Sequence, residues 1–150
     1  MITYLFTVPG MPVAKQRPRT TRTGHTYTPK ETVIFENLVK TCFTQKYPCH
    51  TPTDLPVAVT ILAMYPIPKS WSKKDKIKAA EQALFPRKHD WDNVAKAVCD
   101  SLNGVFYLDD SQIFDGQVFK RYGDQPKTVV MLTTFEEDDL KGRVAEVCLE

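Results

Sequence analysis

The residues with the most chemistry in them stand close together: Asp90, Asp92, Asn93, Lys96 and Asp100, then Asp109 and Asp110 after a short apolar stretch. A helix start and the turn after it can bring at least three carboxylates, an amide and a lysine to one spot. That is the ligand set of a hard cation. Mg²⁺ and Mn²⁺ favour carboxylate and water oxygens, and the ion lets acids sit together that would otherwise repel one another.

Each of these residues also has a purely structural reading. Asp90 stands where an N-cap belongs, and Asp92 falls in the first turn, where the helix dipole favours acids. Asp92–Lys96 and Lys96–Asp100 are i,i+4 pairs of the kind that lace a helix surface. What exceeds a laced surface is the amount of acid. Asp109 and Asp110 follow Phe106-Tyr107-Leu108, and carboxylates beside aromatic side chains need a partner or a metal to stay ionised. An extended segment there would point the two aspartates to opposite faces, so that one of them joins the site. Two lookalikes fail. A calcium loop of the EF-hand type wants an Asp or Asn at Val94, a Gly at Ala95 and a Glu at Ser101. A D-x-D-x-T phosphotransferase wants Thr at Val94 and a buried strand where Arg87-Lys88-His89 stands.

The elements that must position these residues are legible in outline. Ile2 to Val8 alternates as a strand and stops at Pro9-Gly10. The next twenty residues contain no acid; Lys15, Arg17, Arg19, Arg22 and Lys30 lie among Pro, Thr, Gly, His25 and Tyr27, a composition expected to form a mobile basic arm over about residues 10–29. Thr28-Pro29-Lys30-Glu31 opens a helix to about Tyr47, with Val33, Ile34, Leu38, Val39 and Cys42 on one face. Leu55 to Tyr65 is a nearly continuous apolar strand, expected at the centre of its sheet. Ser72 and Asp75 approximate a capping box for a lysine-rich helix whose Ile77, Ala80 and Leu84 can pack, and whose lysines serve solubility or phosphate contact. A helix from Asp90 or Trp91 to about Asn103 ends at Gly104, with Val94, Ala97, Val98 and Leu102 as its core arc and Asp92, Asn93, Lys96 and Asp100 as its polar arc. Gln112 to Arg121 and Lys127 to Phe135 read as an antiparallel hairpin about Gly123-Asp124-Gln125-Pro126. Leu140 to Leu149 reads as a short helix or an added edge strand. The order β-α-β-α-α-β-β predicts an α+β domain, a small mixed sheet packed against helices.

At 150 residues, 42% hydrophobic and 25% charged, one soluble domain over 1–150 is the expectation. No apolar run reaches the roughly 20 residues of a membrane span, and Ile2 to Val8 lacks the flanks of a signal peptide, so a cytoplasmic protein is expected. Cys42, Cys49, Cys99 and Cys148 form no C-x-x-C pair, which argues against zinc and disulfides and for reduced, mostly buried thiols. The net charge of +2 hides an asymmetry: residues 1–89 carry 14 basic and 5 acidic side chains, residues 90–150 carry 6 and 13. A basic half beside an acidic one suits a protein that attracts a polyanion and acts on it, although Glu136, Glu137, Asp138 and Asp139 belong to an acidic tail.

Arg87-Lys88-His89-Asp90-Trp91-Asp92-Asn93-Val94-Ala95-Lys96-Ala97, with Cys99-Asp100-Ser101-Leu102 and Tyr107-Leu108-Asp109-Asp110-Ser111-Gln112-Ile113, resembles the RusA Holliday junction resolvases in motif and spacing. The resemblance spans roughly residues 1 to 135, and Thr26-Tyr27-Thr28-Pro29 looks like the Gram-positive and prophage branch; the stretch 136–150 lies outside it. It implies a RusA-like fold and a crossover junction endodeoxyribonuclease of DNA recombination and repair, nucleoid-associated when bound to DNA. It further implies catalytic roles for Asp90, Asp92 and Asp110 as ligands of Mg²⁺ (Mn²⁺ as a substitute) and for Lys96. Asn93, Asp100 and Asp109 then support the ligands, with Asp100 a partner of Lys96. Lys15, Arg17, Arg19, Arg22, Arg87 and Lys88 contact DNA phosphates. Paired cuts on a four-way junction imply a homodimer; neither a membrane nor a small-molecule cofactor is expected. The rival readings are a non-catalytic module that grips branched DNA, and a nuclease for flaps or forks.

Overall fold

A computed structural model describes residues 1–141; the segment Leu140 to Leu149, Cys148 included, falls almost wholly outside them. The elements run β1 (Ile2–Pro9), β2 (Arg19–Thr20), β3 (Thr26–Tyr27), α1 (Lys30–Lys46), β4 (Val57–Pro66), α2 (Lys73–Ala80) and α3 (Trp91–Ser101). A single 3-10 turn (Asp110–Gln112), β5 (Ile113–Gly123), β6 (Lys127–Thr134) and α4 (Glu137–Leu140) follow. The main sheet has the order β1-β6-β4-β5, with β5 parallel and the other pairings antiparallel. This is the mixed α+β sheet expected, and β4 is indeed central.

β5 and β6 do not form the hairpin their turn sequence suggested. They flank β4 on opposite sides, because an apolar strand hungry on both edges takes a partner on each. The chain crosses over the end of β4 at Pro66, which has no N–H to continue a ladder, and a Cβ at Gly123 would run into the Met64 methyl there.

Alternation does the sorting in β4. Val57, Val59, Ile61, Ala63 and Tyr65 are buried beneath the helices, with α1 on β1 and α3 and α2 on β5, while α1 and α3 pack on each other. The opposite sheet face has no cover among the described residues, leaving Leu5, Phe119 and Met131 at 47%, 38% and 39% exposure. Aromatic rings re-aim α1. It buries Thr32, Phe35, Val39 and Phe43; of the expected aliphatic face Val39 is buried and Leu38 and Cys42 pack on the core, whereas Val33 and Ile34 are exposed. Phe43 sits 5.5 Å from both Phe6 and Phe106, so the large rings take the interior at the places where Val33 and Ile34 were expected. In α2 it is Ala79 that is buried; Ile77 and Ala80 face solvent and Leu84 packs from beyond the helix end. Of the described cysteines all are free thiols, but Cys99 alone is buried.

The basic segment is not one arm. Pro12 is buried and Val13 and Ala14 pack on the core, with the Lys15 amide donating to the Asn93 carbonyl at 2.8 Å. Only from Arg17 to Tyr27 is it exposed, and there β2 and β3 close a small hairpin, Arg19 opposite Tyr27.

Candidate functional site

The site is built along α3, and its start is a strained turn. His89 has φ +65°, a left-handed conformation costly for a side chain of this size. Two strands hold it there. The Tyr65 hydroxyl lies 3.1 Å from His89 Nδ1, and Lys120 Nζ donates to the His89 carbonyl at 2.7 Å. Burial pushes the Tyr65 hydroxyl up to about 12, so it keeps its proton. Burial, then the Lys88 and Lys120 charges, lower the His89 pKa against the pull of Asp90.

The turn delivers Asp90 as the N-cap of α3, yet its carboxylate makes no capping hydrogen bond. The bland reading of Asp90 predicted that bond. Asp92 and Lys96 are exposed on the next turns, and among the described residues neither joins an ion pair. Trp91, between the two acids, is 61% exposed.

The far end of α3 is organised differently. Tyr107, fully buried, donates to the Cys99 carbonyl at 2.6 Å, adding to the Leu102 amide that the same oxygen accepts at 3.1 Å and drawing the following loop to the helix end. In that loop Asp109 caps the 3-10 turn, its carboxylate accepting from the Ser111 amide at 2.9 Å, and this holds its pKa below the usual value. Gln112 completes the capping box and donates to the Thr53 and Leu55 carbonyls, both at 2.9 Å. The segment is therefore a tight turn, not extended. Asp109 is spent on holding it, and Asp110 is the one that meets Asp100. Burial, then the charges of Asp100 and Asp109 and hydrogen bonding with Asp100, raise the Asp110 pKa.

Lys15 joins this end. Its ammonium pairs with Glu36 and lies 3.3 Å from Asp100. Burial pulls its pKa down, but the two carboxylates hold it above its usual value overall. Asp100 thus pairs with Lys15 and not with Lys96, and Lys15 is committed to carboxylates where a phosphate contact was expected. Arg17, Arg19, Arg22, Arg87 and Lys88 are all exposed.

The acids therefore form two groups on one helix face. Asp90 and Asp92 stand at its start, Asp100 and Asp110 at its end, and Asp92 and Asp100 are about 12 Å apart along the axis, with Lys96 between. Among the described residues no three acidic, His or Cys side chains gather as a formed metal centre. The donor chemistry still suits a hard cation, since Mg²⁺ is commonly held by one or two carboxylates together with water and substrate phosphate. Beside Lys96, a hollow of about 320 Å³ is lined by Lys15, Gln16, Arg17, Pro18 and Asn93. Sequence reasoning missed Tyr65, His89 and Lys120. The available signal was alternation, which puts Tyr65 and Lys120 on the covered sheet face, where a hydroxyl and an ammonium must find partners.

The mixed-sheet α+β domain carries this face, and its sequence matches the family Endodeoxyribonuclease RusA over residues 9–133. The chain belongs to the RusA endodeoxyribonuclease family. It is also 41% identical over 133 residues to the Uncharacterized protein YqaN of Bacillus subtilis (strain 168), covering 85% of this chain and 93% of that protein. None of the helices among the described residues is long and apolar enough to cross a membrane.

Proposed function

We propose that this protein is a metal-dependent, structure-selective endodeoxyribonuclease that resolves four-way DNA junctions by paired symmetric hydrolysis. The observation that carries the reading is the free carboxylate of Asp90: within a RusA-family chain it sits at the N-cap of α3 without capping it. Asp90, Asp92 and Asp110 are the residues that would hold one or two Mg²⁺, or Mn²⁺ in their place, Asp90 and Asp92 from the start of α3 and Asp110 from its far end. Bound there, the ion would polarise the scissile phosphate and bring a water's pKa toward neutrality.

This chain's own groups do the rest. Lys96, exposed between the acids and in no ion pair among the described residues, either neutralises charge gathering on the phosphate or holds the attacking water. Asn93, beside Asp92, supports the ligands, and Asp100 shares its charge with Lys15 while steering Asp110. Asp109 serves by holding the turn. Arg17, Arg19, Arg22, Arg87 and Lys88 take backbone phosphates, which position DNA without reading sequence. Two cuts related by a dyad call for two such chains, a C2 homodimer, acting inside the cell on DNA.

The test is an immobile four-way junction incubated with Mg²⁺ and the wild-type, Asp90→Asn or Asp110→Asn protein. Symmetric nicks from the wild type are expected, with the variants still binding and cutting roughly a hundredfold slower or worse. Binding without nicking would favour a non-catalytic module. Faster cutting of flaps or forks at matched salt would favour the third reading, and full activity of both variants would remove these acids from the reaction.

A further inference from the structure

Between α2, the segment after it and the end of β5 lies a hollow of about 400 Å³ that the cleavage chemistry does not use. We propose that it takes one unstacked nucleobase of the strand being cut. Its walls are aromatic. Trp71 and Tyr122 meet edge to face, ring centroids 5.3 Å apart, and Phe85 lines the same hollow with its ring 62% exposed. The Arg87 guanidinium stands 6.0 Å from the Phe85 ring centroid. One exposed phenylalanine means little. Three rings around a concavity, with Arg87 and Lys88 on its lining and Lys73, Lys74, Lys76 and Lys78 on the adjoining helix, make the combination by which proteins hold unpaired bases: rings for the π-faces, cations for the phosphates.

The hollow is also built in advance. Gln82 turns the chain out of α2 with φ +61° and donates from Nε2 to the Tyr122 carbonyl at 3.0 Å, while Pro86 is buried. Asp75 faces the hollow with one carboxylate oxygen bonded to Ser72 at 2.8 Å, and the other can accept from a base's exocyclic amine. Position names the occupant. Lys88 lies two residues before Asp90, at most about 7 Å along the chain, which is within about two steps of a stacked strand at 3.4 Å each. A base beside the branch point, where opening a pair is cheapest, falls within that reach of the scissile phosphate.

The inference rests on the nuclease reading, and the experiment separates the two. Affinities are measured without divalent metal for an intact four-way junction and for junctions each lacking one base within three nucleotides of the branch. Phe85→Ala, an exposed change that spares the fold, should weaken binding to the intact junction roughly five- to a hundredfold. That penalty should vanish on the junction lacking one particular base. An equal penalty on every abasic junction, or none on the intact one, would overturn the base pocket while leaving the nuclease reading standing. Failure to bind any branched DNA would overturn both.

Discussion

A carboxylate that a fold uses differs visibly from one it leaves free. Asp109 is used: the Ser111 amide holds it and its pKa falls. Asp90 and Asp92 join no ion pair among the described residues, and Asp110 is worse placed, its pKa raised by burial first and then by the charges of Asp100 and Asp109. A raised carboxylate pKa means the folded state binds that proton more tightly than the unfolded chain. The cost is therefore absent below the ordinary value near 3.8, sets in as pH rises through the folded value, and persists at neutrality. Asp110→Asn in EDTA should raise Tm at pH 7, and the gain should fade as pH falls toward 4. A lower Tm at pH 7 would mean that Lys15 more than offsets the crowding of the two acids.

At the scale of elements, the link that matters joins the end of α3 to the Asp110 turn through the buried Tyr107 hydroxyl. Tyr107→Phe takes from the Cys99 carbonyl one of its two donors, the Leu102 amide at 3.1 Å remaining, a loss of about 0.5–1.5 kcal/mol, or roughly 1–6 °C in Tm for a chain of this size. Thermal unfolding checks it, and an unchanged Tm would show that the loop is held by Gln112 alone. How far such links could be read beforehand varies with their range. The core arc of α3, the central place of β4 and the Ser72 cap were legible because periodicity and capping are local. The face of α1 was legible only in part: Leu38, Val39 and Cys42 pack as expected, but Phe35 and Phe43 outcompete Val33 and Ile34 only once Phe6 and Phe106 arrive from distant segments. The β5–β6 hairpin misled for a similar reason: turn residues report where a chain reverses, not whether a third strand slips between. At the site, spacing drew attention to the acids and Lys96 and the family resemblance proposed their roles, whereas the Lys15–Asp100 pairing needs two segments to meet, and no local pattern announces it.

On the scale of the whole molecule the basic and acidic halves of the sequence do not stay apart. Residues 12–16 lie along α3, so that Lys15 and Arg17 face Asn93 and Lys96 across one hollow, and the exposed β2–β3 hairpin extends the basic surface beyond it. The cations differ in what they can offer DNA. Lys15 is already neutralised by Glu36 and Asp100, so replacing it releases no further counterion on binding. Arg17, Arg19 and Arg22 are exposed, and each phosphate they neutralise adds about 0.9 to the slope of log K against log salt. Changing all three to Ala should weaken junction binding and flatten that slope by up to about 2.7, while Lys15→Ala should leave the slope unchanged even if it lowers stability. Titrating junction binding against salt for the two variants decides the matter: an unchanged slope in the triple variant takes the hairpin off the DNA, and a flattened slope in Lys15→Ala returns Lys15 to the phosphates.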